Sequence, residues 1–384
     1  MATLTHPFSK RLNALAALLC MGAGSSAWAQ GTEEARLKIS GFLSVVGGQV
    51  LDGTLDSNYT GLNPINGLSC PCYIADWSNG GVYNKDFSLT PETHAGIQLN
   101  YTLTDKANLV AQVVTRGTNG TPDLTWAYAS YKLNKNWEVQ VGRKRIPLYY
   151  YSDFQDVGVS YPWVSPPTEL YGWDATNYNG ASLRYTASFG QTNVTASMFG
   201  GREDVDKSLY WKLYDYDNVK VSWKNILGAD LEVNHGPLTV RGVYMTADVN
   251  TSGLPGALGA YDAKLTAYGI AANLDMDSWF VLSEVSKLTR ESPISGYSFN
   301  APAASIGVGL RLGKWTPFVN YAQYVESAGD VDYIPATYRR TSATLRYDLN
   351  SNSGIKVQLD RNLDVTNNLG GNVTVFRVSY DRVF

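Results

Sequence analysis

Alternation of apolar and polar side chains with a period of two dominates the chain from Leu37 onward and runs to the final residue, Phe384. That rhythm is the strongest constraint on the fold, because successive side chains of an extended strand point to opposite faces. In Thr341–Leu349, one face carries Thr341, Ala343, Leu345, Tyr347 and Leu349, and the other carries Ser342, Thr344, Arg346 and Asp348. The last stretch, Val373 to Phe384, alternates in the same way and ends on an aromatic where a soluble domain usually ends in a frayed polar tail. A strand between lipid and water has this pattern, and so does a strand of a soluble sandwich, so strand count and connection lengths must decide.

Sixteen strands are expected near 37–47, 92–102, 107–116, 124–133, 137–144, 178–188, 192–200, 216–224, 230–247, 262–273, 278–290, 303–312, 315–326, 338–349, 353–361 and 372–384. Short connections such as Thr104-Asp105, Gly190-Gln191 and Gly313-Lys314 alternate with long ones, as in transmembrane barrels with an even number of antiparallel strands. Asn234-His-Gly-Pro237 looks like a turn, but a break there gives seventeen strands and puts the long 250–261 connection on the short side. The expectation is therefore one strand over 230–247, kinked or bulged at Gly236-Pro237. Two connections stand out, 48–91 and 145–178. The second is too aromatic for a disordered segment, with Tyr149-Tyr150-Tyr151, Phe154, Tyr161, Trp163, Tyr171 and Trp173, and is expected to fold into the lumen.

Residues 1–29 read as a secretory signal: Lys10 and Arg11, a short apolar run from Leu12 to Met21, and Ala27-Trp28-Ala29 before Gln30. Lipidation at Cys20 is disfavoured by Leu19, which stands where a small residue is needed. Removing the signal leaves 384 − 29 = 355 residues and 29 basic against 34 acidic side chains, a formal charge of −5. No basic balance supports nucleic-acid binding. The 26 Tyr and 10 Trp suit aromatic girdles at the two membrane interfaces. Cys70 and Cys72 read as a local disulfide bracing a loop, since neither a C-x-x-C motif nor ligand spacing accompanies them. No cofactor is expected. Asp204 and Asp206 do not bring together the six or more oxygens calcium needs.

The signal segment, the sixteen alternating strands, the long third loop after Val139-Gln-Val-Gly-Arg143 and the terminal Phe384 together resemble the general bacterial porin superfamily of Gram-negative outer membranes. One departure is Arg382, two before the final Phe, where an apolar residue is usual; Phe376, Val378 and Tyr380 keep the face. The resemblance implies an all-β, sixteen-stranded antiparallel transmembrane barrel over 30–384, a homotrimer in contact with outer-membrane lipid and lipopolysaccharide, passing small hydrophilic solutes and ions. It also implies a third-loop eyelet where acidic loop residues face basic wall residues.

Alternation places Lys144, Arg184, Lys220, Arg241, Arg311, Arg340, Arg346, Lys356 and Arg377 opposite the apolar face of their strands. Of these, Lys144, Arg184, Arg241, Arg311 and Arg346 are the expected basic wall of the constriction, and Asp153, Asp156 and Glu169 its acidic loop side, with Asp174 nearby. Tyr149, Tyr150, Tyr151 and Trp163 either anchor the loop or stack on passing solutes, sugars or aromatic acids among them. A barrel enzyme is disfavoured, because the only histidines of the mature chain, His94 and His235, have no triad partners in sequence.

Overall fold

The computed structural model describes residues 36–254, 260–292, 298–329 and 334–384, so the signal segment lies outside the described residues. Sixteen long strands form the wall: β1 (Leu37–Thr54), β2 (His94–Thr104), β3 (Ala107–Arg116), β4 (Asp123–Lys132), β5 (Trp137–Arg145), β6 (Asn177–Phe189), β7 (Thr192–Val205), β8 (Lys220–His235), β9 (Leu238–Ser252), β10 (Ala260–Asp275), β11 (Trp279–Glu291), β12 (Ser298–Leu310), β13 (Trp315–Val325), β14 (Thr337–Asn350), β15 (Ser353–Asp364) and β16 (Asn372–Val383). Each pairs antiparallel with its sequence neighbours. β1 closes the cylinder by pairing with β2 through Leu37↔Tyr101 to Ser44↔His94 and with β16 through Phe42↔Val383 to Thr54↔Asn372. Closure satisfies both edges, which a wall in hydrocarbon requires.

The seam is finished by Phe384. Gly41 and Phe384 exchange backbone hydrogen bonds of 2.8 and 3.0 Å. The phenyl ring then lies so close over Gly41 that a Cβ there would sit 2.4 Å from it. A larger residue at Gly41 would push that ring aside.

The two faces invert the order of a soluble protein. On β15 the outward face shows Ile355, Val357, Leu359 and Leu363, and the inward face carries Lys356, Gln358, Asp360 and Asn362. Leu359 is 47% exposed and its neighbour Asp360 1%. Outward Leu, Val, Ile, Tyr and Trp residues recur round the wall, with Tyr101, Tyr131, Trp137, Trp279 and Trp315 exposed toward the short-turn end. This is the outward apolar band and aromatic girdle of a membrane barrel.

The expected count of sixteen holds, but one expected strand does not. Asn234–Pro237 is a true hairpin turn, with His235↔Leu238 as the last pair and Gly236 at φ 53°. The error lay upstream: 220–224, from the expected strand 216–224, and 230–234 belong to one strand, β8, which is continuous through a bulge at Asn225, φ 49°. The bulge interrupts the alternation and imitates a connection. Restoring β8 returns the 253–259 connection to the long-loop end.

Three loops enter the lumen from that end. The first, 55–93, carries a buried hairpin, Tyr73–Asp76 paired with Gly81–Tyr83, and a Cys70–Cys72 disulfide. The third, 146–176, lies within the barrel, and the fourth, 206–219, contributes the short helix α1 (Leu209–Lys212). Trp77 of the first loop packs 5.8 Å from Tyr210 of α1, and Ser78 Oγ donates to the Trp173 carbonyl of the third at 2.8 Å. The main apolar core therefore sits inside the barrel, between the loops and the inward faces of β6–β14.

Candidate functional site

Inward polar side chains of the wall fix the course of the third loop. Arg340 on β14 is fully buried and grips Glu169 of the loop through Nε and Nη2, both at 3.0 Å, while Nη1 reaches Asp360 at 3.4 Å. Arg377 on β16 donates to Asp360 at 2.9 Å, to Glu92 at 2.8 Å and to Ser165 of the loop at 2.9 Å. The result is a buried chain of alternating charge, Glu92–Arg377–Asp360–Arg340–Glu169, running from the first loop across the wall to the third. Lys356 donates to the carbonyls of Gly158 and Trp163 at 2.6 and 2.5 Å and pairs with Asp381 at 3.2 Å.

Further tethers follow the same logic. Arg346 donates to the carbonyls of Val159 and Tyr161 at 2.8 and 3.1 Å, and Arg241 to those of Tyr149 and Pro147 at 2.7 and 2.8 Å. The Glu284 carboxylate accepts from the Tyr150 N–H at 2.8 Å and the Tyr171 hydroxyl at 2.7 Å. Arg290 binds Asp174 at 3.0 Å. On the opposite flank Asp156 is clamped by Arg116 at 2.8 Å and by Arg145. Burial alone pushes the Asp156 carboxyl up, but the two guanidiniums outweigh it and hold it well below the ordinary carboxylate range.

One sector of the lumen carries no such tether. Among the described residues, no hydrogen bond joins the third loop to the inward faces of β4, β6, β7 or β8. Here Arg184 on β6 faces inward, in register with Glu138 of β5 and Ser197 of β7, yet stays exposed. Asp153, on a single 3-10 turn at Ser152–Phe154, is exposed toward it. Lys144, Arg184, Glu138, Asp230 and Asp153 lie near enough to feel one another's charge. Lys144 stands 5.5 Å over the Tyr128 ring and 3.4 Å from Ser182 Oγ. Beside the loop tip, bases and acids of the wall and Asp153 of the loop therefore share one untethered sector of the lumen.

The expected wall and loop residues thus occupy three environments. Lys144, Arg184 and Asp153 lie together in the untethered sector. Arg241, Arg346, Asp156 and Glu169 hold the loop. Arg311 follows the last residue of β12, in the short turn, where it binds Asp275 at 2.6 and 2.8 Å. Lys220 begins β8 at the loop end and pairs with Asp206 at 2.9 Å. Of the aromatic run, Tyr149, Tyr151 and Trp163 are buried and Tyr150 is half-buried; Trp163 packs edge-on to Phe318 at 5.1 Å. Sequence reasoning did not single out Glu92, Glu138, Asp230, Glu284 or Asp360. The alternation that marked inward bases also put Glu138, Glu284 and Asp360 inward, and that signal could have found them.

A closed sixteen-stranded barrel with an apolar exterior, a polar interior and an inserted third loop defines the class: this is the fold of Gram-negative outer-membrane porins. No protein-family model matches the chain, and no curated protein matches it by sequence. Solved structures match it in shape. The outer membrane channel DcaP of Acinetobacter baumannii superposes with a TM-score of 0.59 at 11% identity, covering 91% of this chain and 97% of that one. The anion-selective porin from Comamonas acidovorans gives 0.59 at 12% identity, covering 91% and 100%. The trimer form of Vibrio cholerae OmpT gives 0.56 at 11% identity, covering 91% and 99%.

Proposed function

We propose that this protein is an outer-membrane porin, a passive channel for small hydrophilic solutes and ions, exported by a cleaved segment 1–29 and assembled as a homotrimer. The observation that carries it is the exposed, inward Arg184 beside exposed Asp153, in a barrel whose other loop–wall contacts are packed. A charged side chain that faces into a barrel and still meets solvent implies water along the passage. Likeness of fold to porins, one of them in trimer form, supports the same reading. No catalytic step is part of it. Lipopolysaccharide phosphates suit the outward, exposed Arg339 and Arg361 near the loop end of the apolar band.

Sorting then falls to the width and charge of the passage. Its bases are Lys144, Arg184 and the loop-holding Arg241, which also pairs with Asp230 at 3.6 Å. Its acids are Glu138, Asp153, Asp230 and Glu232, the half-buried cross-strand partner of Arg241; the net charge of 3 − 4 = −1 favours cations weakly. Conductance across planar bilayers tests the function. Stepwise channels whose reversal potential under a salt gradient leans toward cations are expected. Folded protein that conducts nothing refutes the reading.

A further inference from the structure

Beneath the third loop, on the short-turn side, the lumen holds an alcove of about 420 Å³. Tyr150, Phe154 and Tyr161 of the loop roof it, and Phe280, Arg311 and Arg346 stand on its wall. The volume lies in the range of small-ligand sites. Its two guanidiniums are each matched by a carboxylate of the same alcove, Arg311 by Asp275 at 2.6 and 2.8 Å and Arg346 by Asp348 at 2.8 Å. The alcove therefore has no net charge, and an ion brought into it would shed water without gaining a counter-charge. Hydrogen-bonding capacity nevertheless remains. Among the described residues, Arg346 Nη2 and the second Asp348 oxygen have no hydrogen-bond partner, which leaves one donor and one acceptor on the same ion pair. Tyr150 and Phe154 are half-buried, so part of each ring stays open.

Aromatic faces, paired donors and acceptors, and zero net charge together match a neutral polyhydroxylated ring, whose C–H face lies on an aromatic ring while its hydroxyls both donate and accept. We propose that this alcove binds a neutral sugar of one or two rings. The proposal rests on the channel reading, because the solute arrives through the lumen.

The test is blockade of the open-channel current, with maltose titrated from the short-turn side and benzoate and glycerol in parallel. Maltose is expected to block with saturation, and glycerol and benzoate are not. Phe154→Leu keeps an apolar side chain but removes the ring face, and raises the half-blocking concentration about three- to tenfold. Thr316→Trp fills the alcove and abolishes the blockade. Each blockade is normalised to that variant's own open current, so altered conductance does not confuse the result. The proposal is overturned if maltose fails to block, if benzoate blocks in its place, or if Phe154→Leu leaves the titration unchanged. Should the protein pass no current at all, the channel reading fails; calorimetric titration of maltose into the folded protein in detergent then decides the alcove by itself, heat of binding supporting it and none refuting it.

Discussion

Removing Arg340 and removing Glu169 should have unequal consequences, although the two form one ion pair. Arg340 is fully buried and supplies both hydrogen bonds recorded for the Glu169 carboxylate. Arg340→Met thus leaves Glu169 charged, buried and alone, whereas Asp360 keeps Arg377 at 2.9 Å and Ser342 at 2.6 Å. Orphaning a buried charge in this way costs about 3–5 kcal/mol. In Glu169→Gln, Arg340 retains Asp360 and an amide oxygen still accepts one bond, so the cost is about 1–2 kcal/mol. Neither change touches the backbone ladder of β14, so the loss falls on the attachment of the loop. At the lower bound of 3 kcal/mol, one tether shifts toward release by about 100-fold. Single-channel recording reads this as added open-channel noise and more frequent closures, larger for Arg340→Met than for Glu169→Gln, while barrel melting moves little. The double variant with Met at both positions has no buried charge to orphan and should be quieter than Arg340→Met alone. If the two single variants are equally noisy, or the double is noisier than Arg340→Met, the asymmetry argument is wrong.

Neutralising Arg184 as Arg184→Ala deepens cation preference and Asp153→Asn relaxes it, both read from reversal potentials; no movement in either would remove these side chains from the passage. The folded Asp156 carboxyl titrates below its ordinary 3.8, so the stability it contributes is complete above that value and is lost only as pH falls through the lowered one. The part of the noise that depends on Asp156, taken as the difference between the protein and Asp156→Asn, should therefore be constant from about pH 7 to 5 and change only below about pH 4, and a change in that difference near pH 6 would contradict the clamp. Reducing Cys70–Cys72 opens a loop with a sequence separation of 2, which chain entropy values at about 1.6 kcal/mol, so conductance and barrel melting should barely change on adding dithiothreitol.

The strands were legible because alternation against lipid and water is a local signal: 107–116 coincides with β3, and most other boundaries fall within a few residues. The exception, β8, shows the weakness of a two-residue rule, since one bulge at Asn225 reverses the phase and looks like a loop. Inward bases were legible as a face but not as roles. Arg377 meets Ser165 across 212 residues and Arg340 meets Glu169 across 171, and no period within a strand encodes such a pairing. The passage proposed at Asp153 and Arg184 is what those tethers leave open. That the first and fourth loops also enter was hidden for the same reason: Trp77 and Tyr210 look like scattered surface aromatics until the chain closes.

The interlocking of these three loops bears on how such a channel can be re-engineered. Transplanting the third segment alone into another cylinder would strip it of Ser78, Trp77 and the Glu92 end of the charge relay. The transferable unit is the whole inner assembly with its matching staves, β14 to β16 above all. Variation that respects this unit can recut the bore one side chain at a time while the outer hoop stays as it is.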